Sequence, residues 1–200
     1  MTANRSNSNP ARDAAAAATR ARLIVAAGEI LREGNGLSLD AVAIRAGFTR
    51  LTVYNQFGSR HGLLEAVFDD RAVAGGLGRI GQAMATADPR EALRRIVAIF
   101  CDFWGGDDAV RGLHDAIAHD PEFAAALAAR GERRRGTVGT LIVRMELHGD
   151  QSALIDTVTA LTSQGFFAQL SDRRGPVDAA RIVTDLVDAA VDAASQIQQD

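Results

Sequence analysis

Lysine is absent from this chain of 200 residues, and all 22 basic residues are arginine. Alongside the abundance of alanine, we read that bias as compositional rather than mechanistic. A single cysteine, Cys101, excludes an intramolecular disulfide and points to a reducing compartment. No run approaches the roughly 20 uncharged apolar residues that a membrane-spanning helix needs. The opening residues MTANRSNSNP lack the apolar core of a signal peptide, so the expected location is cytoplasmic. No segment alternates with period two for long and no internal repeat is visible, so no strand is assigned. Cys101, His114, His119 and His148 form no pair with metal-ligand spacing, and no nucleophile motif surrounds Cys101. These absences argue against an enzyme, a metal or a cofactor. Cys101 reads instead as a small buried hydrophobe.

What the chain does have is enough apolar material, 47% of residues, to fill a core. Its formal charge of −3 is unevenly spread. Residues 1–64 hold eight Arg against four Asp/Glu, giving +4, while residues 65–200 hold fourteen Arg against twenty-one, giving −7. A basic head on an acidic body suits contact with an anionic partner through the head alone.

Within the head, the stretch Ser38–Arg60, SLDAVAIRAGFTRLTVYNQFGSR, reads as two short helices around a tight turn. Ser38 is an N-cap residue, and Asp40 stands where the helix dipole favours a carboxylate. Leu39, Val42, Ala43 and Ala46 make one apolar face, and Gly47 can adopt the left-handed conformation that ends a helix. Thr49 caps the second helix, whose Val53 and Phe57 point back at the first. On its opposite face lie Leu51, Tyr54 and Asn55, flanked by Arg50 and Thr52. A guanidinium, a hydroxyl, a phenol, an amide and an aliphatic group can address guanine and adenine edges, phosphates and thymine methyls in a major groove. Residues 41–64 contain no carboxylate, as a surface approaching phosphates requires.

Residues 19–68 resemble the DNA-binding domain of the TetR family of transcriptional regulators. The resemblance rests on the opening helix Thr19 to Glu33, the helix Ser38 to Ala46, Gly47, the segment TRLTVYNQF and the sequel GSRHGLLEAVF. Gly58 stands where that family commonly has proline, and Arg60 where lysine is usual. The resemblance implies an all-α fold. A flexible arm (1–18) would run into helix 1, followed by a three-helix DNA-binding head with a helix-turn-helix (19–65) and a helical-bundle body (66–200) for effector binding and dimerisation. It implies a homodimer on a palindromic double-stranded DNA operator, acting as a ligand-responsive repressor. Arg50, Leu51, Thr52, Tyr54 and Asn55 would face the groove, with Thr49, Gln56 and Arg60 nearer phosphates. Two other readings remain open: a helical ligand-binding or scaffold protein without DNA binding, and an enzyme hosted in a helical bundle.

Beyond the head, Ser59 caps a helix carrying Leu63, Leu64, Val67 and Phe68. Gly75, Gly76, Gly78 and Gly81 suggest a loosened joint at its far end. Asp88-Pro89 and Asp120-Pro121 are helix starts, and Gly105-Gly106 and His148-Gly149 are stops. The first helix would end at Gly105 and the second near Leu147, with a short helix Asp107–Ala118 between them. Two more are expected, over Gln151–Leu170 and Val177–Gln198, and these would form the dimer surface. The stripe Ala180, Val183, Leu186, Val187, Ala190 and Val191 fits burial within one chain or between two. Phe100, Phe103, Trp104, Phe123, Phe166 and Phe167 are core residues by default. With Met145, His114 and Gln164, all but Phe123 are candidates to line an effector cavity. Such a lining suits a small apolar or aromatic molecule, because a buried anion would lack partners. Arg133-Arg134-Arg135 reads as a solvated helix face able to pair with the acidic body, with a second nucleic-acid contact as the alternative.

Overall fold

Each of the chain's four prolines opens a helix: Pro10, Pro89, Pro121 and Pro176. Proline's fixed φ suits the first turn, where its missing N–H has no intrahelical partner to lose. The computed structural model describes residues 10–147 and 150–196. Among these it has eleven α-helices, two single-turn 3-10 helices and no strand. The head comprises α1 (Pro10–Arg32), α2 (Leu39–Ala46) and α3 (Arg50–Phe57). The body follows with α4 (Arg60–Ala74), α5 (Ile80–Met84), α6 (Pro89–Gly105), α7 (Asp108–Asp115), α8 (Pro121–Arg144), α9 (Ser152–Leu161), α10 (Gln164–Arg174) and α11 (Pro176–Gln196). The arm before Pro10, the break at His148-Gly149 and an end at Gln198 lie outside the described residues.

Two cores hold the chain together. The first joins Leu23, Ala27, Ile30 and Leu31 of α1 to Val42, Val53, Leu63, Leu64 and Val67. It then continues into Phe103, Val110, Leu113 and Phe123, so the head shares its interior with the body. At the crossing of α1 and α7, a Cβ on Gly112 would stand 2.4 Å from the Leu31 carbonyl oxygen, so only glycine lets these backbones approach so closely. The second core packs Leu93, Ile96, Val97 and Phe100 against Leu141, Ile142, Val158, Val183, Val187 and Val191.

Two expectations change here, and one open alternative closes. The glycine-rich segment after α4 is a packed corner, not a loose joint. A Cβ on Gly75 would meet the Phe103 ring at 2.6 Å, and Leu77 packs against both cores. The helix foreseen over Gln151–Leu170 is two helices. Thr162 turns its hydroxyl back onto the Val158 carbonyl at 2.8 Å, and the Ser163 hydroxyl then accepts the Phe166 N–H at 3.2 Å, capping α10. Lastly, Val183, Val187 and Val191 are buried inside the chain, so that stripe of α11 faces its own core. Leu186, 40% exposed, lies on a different, outward strip with Ala189 and Ala193.

Candidate functional site

The turn between α2 and α3 closes through local bonds that the residue types dictate. Ser38 Oγ accepts the Ala41 N–H at 3.1 Å and Thr49 Oγ1 accepts the Thr52 N–H at 3.1 Å. Gly47 takes φ 71°, and the Phe48 N–H returns to the Ala43 carbonyl at 2.9 Å. Val53 is fully buried and fixes the rotation of α3. The opposite face is therefore presented outward: Leu51 is 65% and Tyr54 55% exposed, and Thr49, Arg50 and Asn55 are exposed with them. Thr52 and Gln56 are half-buried on the flanks. Arg50 reaches Asp40 at 2.6 Å, an exposed pair that screening leaves weak.

Two arginines of α1 hold this unit from behind. Arg20 donates to the Gln56 carbonyl at 2.9 Å and lies 4.5 Å from the Phe57 ring centre. Arg22 donates to the Ala46 carbonyl at 3.1 Å and lies 4.7 Å from the Phe48 ring centre. Each guanidinium meets the unsatisfied carbonyls and negative dipole end of one short helix. Sequence reasoning passed over both residues. The available signal was a cation at each of two positions immediately before the buried stripe of α1.

Arg60 is not placed for phosphate contact. Its guanidinium turns into the body, donating to the Leu37 carbonyl at 2.9 Å and to Asp120 Oδ2 at 2.9 Å. It joins a set of ion pairs that ties α1, α4, α7 and α8 together. Asp107, the N-cap of α7, receives both arms of Arg32 at 2.7 Å and Arg71 at 2.6 Å. Burial opposes ionisation of Asp107, but the bonds from Arg32, the Ala109 N–H and Arg71 outweigh it. They hold its carboxyl well below the usual range. Arg130 of α8 grips Glu65 of α4 with bonds of 2.8 and 2.7 Å and lies 4.2 Å from the Phe68 ring centre.

Beside these pairs the body encloses a cavity of about 620 Å³ between α4, α6, α7, α8 and the start of α10. Phe100, Phe103, Trp104, His114 and Gln164 line it as expected, joined by Phe68, Leu77, Ile80, Leu127, Arg130, Arg133 and Arg134. Met145, Phe166 and Phe167 do not. They pack onto the second core, where Phe167 closes over Gly105; the turn at Thr162 and Ser163 rotates the two phenylalanines away from the cavity, and Met145 sits at the end of α8. Trp104 is fixed by its indole N–H, which donates to the Thr162 carbonyl at 3.0 Å, and its ring meets His114 edge-on at 5.5 Å. His114 Nδ1 lies 3.0 Å from the Val110 carbonyl and so carries the proton, leaving Nε2 as an acceptor. Burial, with the charge of Arg134, lowers the His114 pKa. Arg134 is not a solvated residue. It lies 5.9 Å from the Phe100 ring centre, and its Nε is buried without a hydrogen-bond partner. Cys101 is buried elsewhere in the second core, its thiol pushed up to about 12 by burial and the nearby Asp102 charge. Among the described residues no three His, Cys, Asp or Glu side chains are grouped to hold a metal ion, and no helix is long and apolar enough to cross a membrane.

No protein-family model and no curated protein matches the sequence. Solved structures do. A TetR-family transcriptional regulator from Rhodococcus sp. superposes with TM-score 0.70 at 19% identity, covering 87% of this chain and 99% of its own. The fold is that of the TetR-family regulators. NalD of Pseudomonas aeruginosa, the secondary repressor of the MexAB-OprM multidrug efflux pump, matches with TM-score 0.62 at 18% identity, covering 88% of this chain and 96% of its own. LfrR of Mycobacterium smegmatis, in complex with proflavine, matches with TM-score 0.56 at 21% identity, covering 86% and 95%. In this TetR fold α1 to α3 are the head, and the cavity sits where α4 meets the body.

Proposed function

We propose that this chain is a sequence-specific DNA-binding transcriptional regulator: a ligand-responsive repressor acting as a homodimer on a near-palindromic operator. The observation that carries the reading is the outward face of α3. Arg50, Leu51, Tyr54 and Asn55 are exposed together on a helix whose other side is locked into the core. In the groove Arg50 and Asn55 read base edges, Leu51 and Tyr54 meet thymine methyls and backbone, and Thr49, Thr52 and Gln56 lie toward phosphates.

One α3 spans only a few base pairs, so specificity calls for two heads about 34–36 Å apart, or a multiple of that spacing. The outward strip of α11 around Leu186, beside α10, supplies the pairing surface. An effector in the cavity touches Phe68 and Arg130, and through Arg130 it reaches Glu65 on the helix that carries the head. Binding that favours one setting of α4 shifts the population of head spacings. A full switch, from 1:99 to 99:1, takes about a 10⁴-fold preference for one arrangement.

Gel shift on the chain's own upstream DNA tests the reading. Tyr54→Ala or Arg50→Ala should weaken operator binding by about 1–3 kcal/mol per half-site with the melting temperature unchanged. Unaltered affinity in both variants would sink the regulator assignment. In light scattering, Leu186→Glu should give a folded monomer.

A further inference from the structure

The cavity wall is unbalanced in charge. Three arginines of α8, Arg130, Arg133 and Arg134, line it, and no Asp or Glu does. Their situations differ. Arg130 is satisfied from behind by Glu65, with Asp69 at 3.3 Å. Arg133 is exposed at the rim. Arg134 is the anomaly. Its one bond among the described residues is a long one of 3.4 Å from Nη2 to the Thr159 carbonyl, and its Nε has no partner. No carboxylate pairs with it among the described residues. A guanidinium stays ionised under almost any conditions, so this is a half-buried charge lacking a counter-ion. Desolvation alone shifts its pKa, and downward, with no acid to raise it.

Around Arg134 the wall is aromatic and neutral. Phe100 lies under the guanidinium, Trp104 beside it is stacked on Phe100 with ring centres 6.5 Å apart, and Leu127 faces the same space. His114 adds no second cation near neutral pH and offers a lone pair at Nε2. Gln164 brings an amide that makes no hydrogen bond to the described residues.

We infer that the cavity takes an aromatic or otherwise apolar molecule bearing one carboxylate, with Arg134 as the counter-ion. The inference rests on reading this cavity as the effector site. It also revises the expectation that a buried anion would lack partners here. That expectation treated the arginine run as a solvated face, whereas α8 turns Arg134 inward. A single buried, uncompensated guanidinium matches a monoanion. A phosphate monoester would bring a second charge with no buried cation to meet it, and a cationic aromatic would set its charge against Arg134.

The test is calorimetric titration of the full chain with three probes of one shape: 2-naphthoate, 2-naphthamide and 2-naphthylmethylammonium. Naphthoate should bind about tenfold more tightly than the amide, as charge-assisted bonds outweigh neutral ones, and the ammonium should bind weakest. Arg134→Gln should erase the naphthoate preference while leaving the amide within about threefold of wild type. Arg133→Gln should leave the preference standing. Equal binding of naphthoate and amide to the unaltered protein would overturn the carboxylate while keeping the effector cavity. Failure of all three to bind would overturn both. A preference that survives in Arg134→Gln would remove Arg134 from the role. Should that variant fail to melt cooperatively, Arg134→Lys, which keeps the charge but loses the fork, must retain part of the preference.

Discussion

The seam where α1, α4, α7 and α8 meet and the cavity beside it are built from the same cation, used in opposite ways. At the seam every arginine is answered. Arg32 and Arg71 meet Asp107, Arg60 meets Asp120, and Arg130 meets Glu65. In the cavity, one turn along α8 from Arg130, Arg134 is left unanswered. Paired charges fix geometry, because each partner holds the other in one place. An unpaired charge costs stability until something arrives to pair with it. The seam is therefore where charge holds the fold, and the cavity is where a charge is left without a partner.

The largest break in that contrast is Asp107→Ala. It leaves Arg71, whose side chain is only 16% exposed, with Asp70 alone, unpairs Arg32, and removes the N-cap of α7. The expected loss is about 2 kcal/mol in denaturant unfolding, since Arg32 and the start of α7 lose their partner while Arg71 keeps Asp70. Ligand affinity should be little altered if the cavity is independent of the seam. A variant as stable as the parent would show that the seam is not held by charge.

Acid probes the same pair without mutation. Asp107 has a depressed folded pKa, so its stabilisation is fully present above its unfolded value and is lost as pH falls toward the folded one. Stability should thus decline below about pH 4, where an unfolded carboxylate takes up its proton. Asp107→Asn should follow a flatter curve. His114 separates the two regions on the pH axis. Its lowered pKa makes the folded cavity resist protonation, so its contribution fades earlier, as pH falls below about 6.5. Parallel melting curves for His114→Gln and the parent between about pH 7 and 5 would contradict this ordering.

Where charges and caps act locally, the sequence already displayed them. Ser38, Thr49, Ser59, Asp88 and Asp120 all cap the helices they precede. Gly47 takes the left-handed turn, and the outward face of α3 follows from the burial of Val53 and the half-burial of Phe57. What stayed hidden is long-range. Arg60 finds Asp120 sixty residues away, Gly112 is fitted to a carbonyl on α1, and Arg134 is exceptional only because no acid lies opposite it. Thr162-Ser163 breaks a helix that its apolar spacing would continue, and that break turns Phe166 and Phe167 away from the cavity wall. The first three depend on residues far along the chain and leave no local signature, whereas the Ser163 cap is local and was outweighed by the apolar spacing around it.

Arg134→Met sharpens the contrast by reversing the sign. The change removes an uncompensated half-buried charge and keeps much of the side-chain volume, so stability should rise by about 1 kcal/mol. Arg130→Met, one turn away, should lower it, because Glu65 is then left without its partner. Melting temperatures measured side by side decide the matter. Two shifts of the same sign would mean that the paired and unpaired arginines do not differ in kind.

The smallest expected effect on stability tests the group common to both regions. Glu65 lies on α4, behind the cavity, and its pKa is lowered chiefly by the bond from Arg130. Glu65→Gln retains a hydrogen-bond acceptor and nearly the same shape but removes the charge. Both partners are partly exposed, so the cost should stay below about 1 kcal/mol. The consequence for the cavity should be larger than that for the fold. Arg130 then keeps only the exposed Asp69, at 3.3 Å, as a counter-charge and faces the ligand as a second, weakly compensated cation, so a carboxylate should bind a few-fold more tightly than in the parent. The same substitution cuts the tie from α8 to the helix carrying the head. Tighter carboxylate binding should then release DNA less effectively, because occupancy no longer acts on α4 through that pair. Calorimetry paired with a ligand-titrated gel shift separates the two effects. If affinity and release rise or fall together in Glu65→Gln, coupling between cavity and head runs through some other contact.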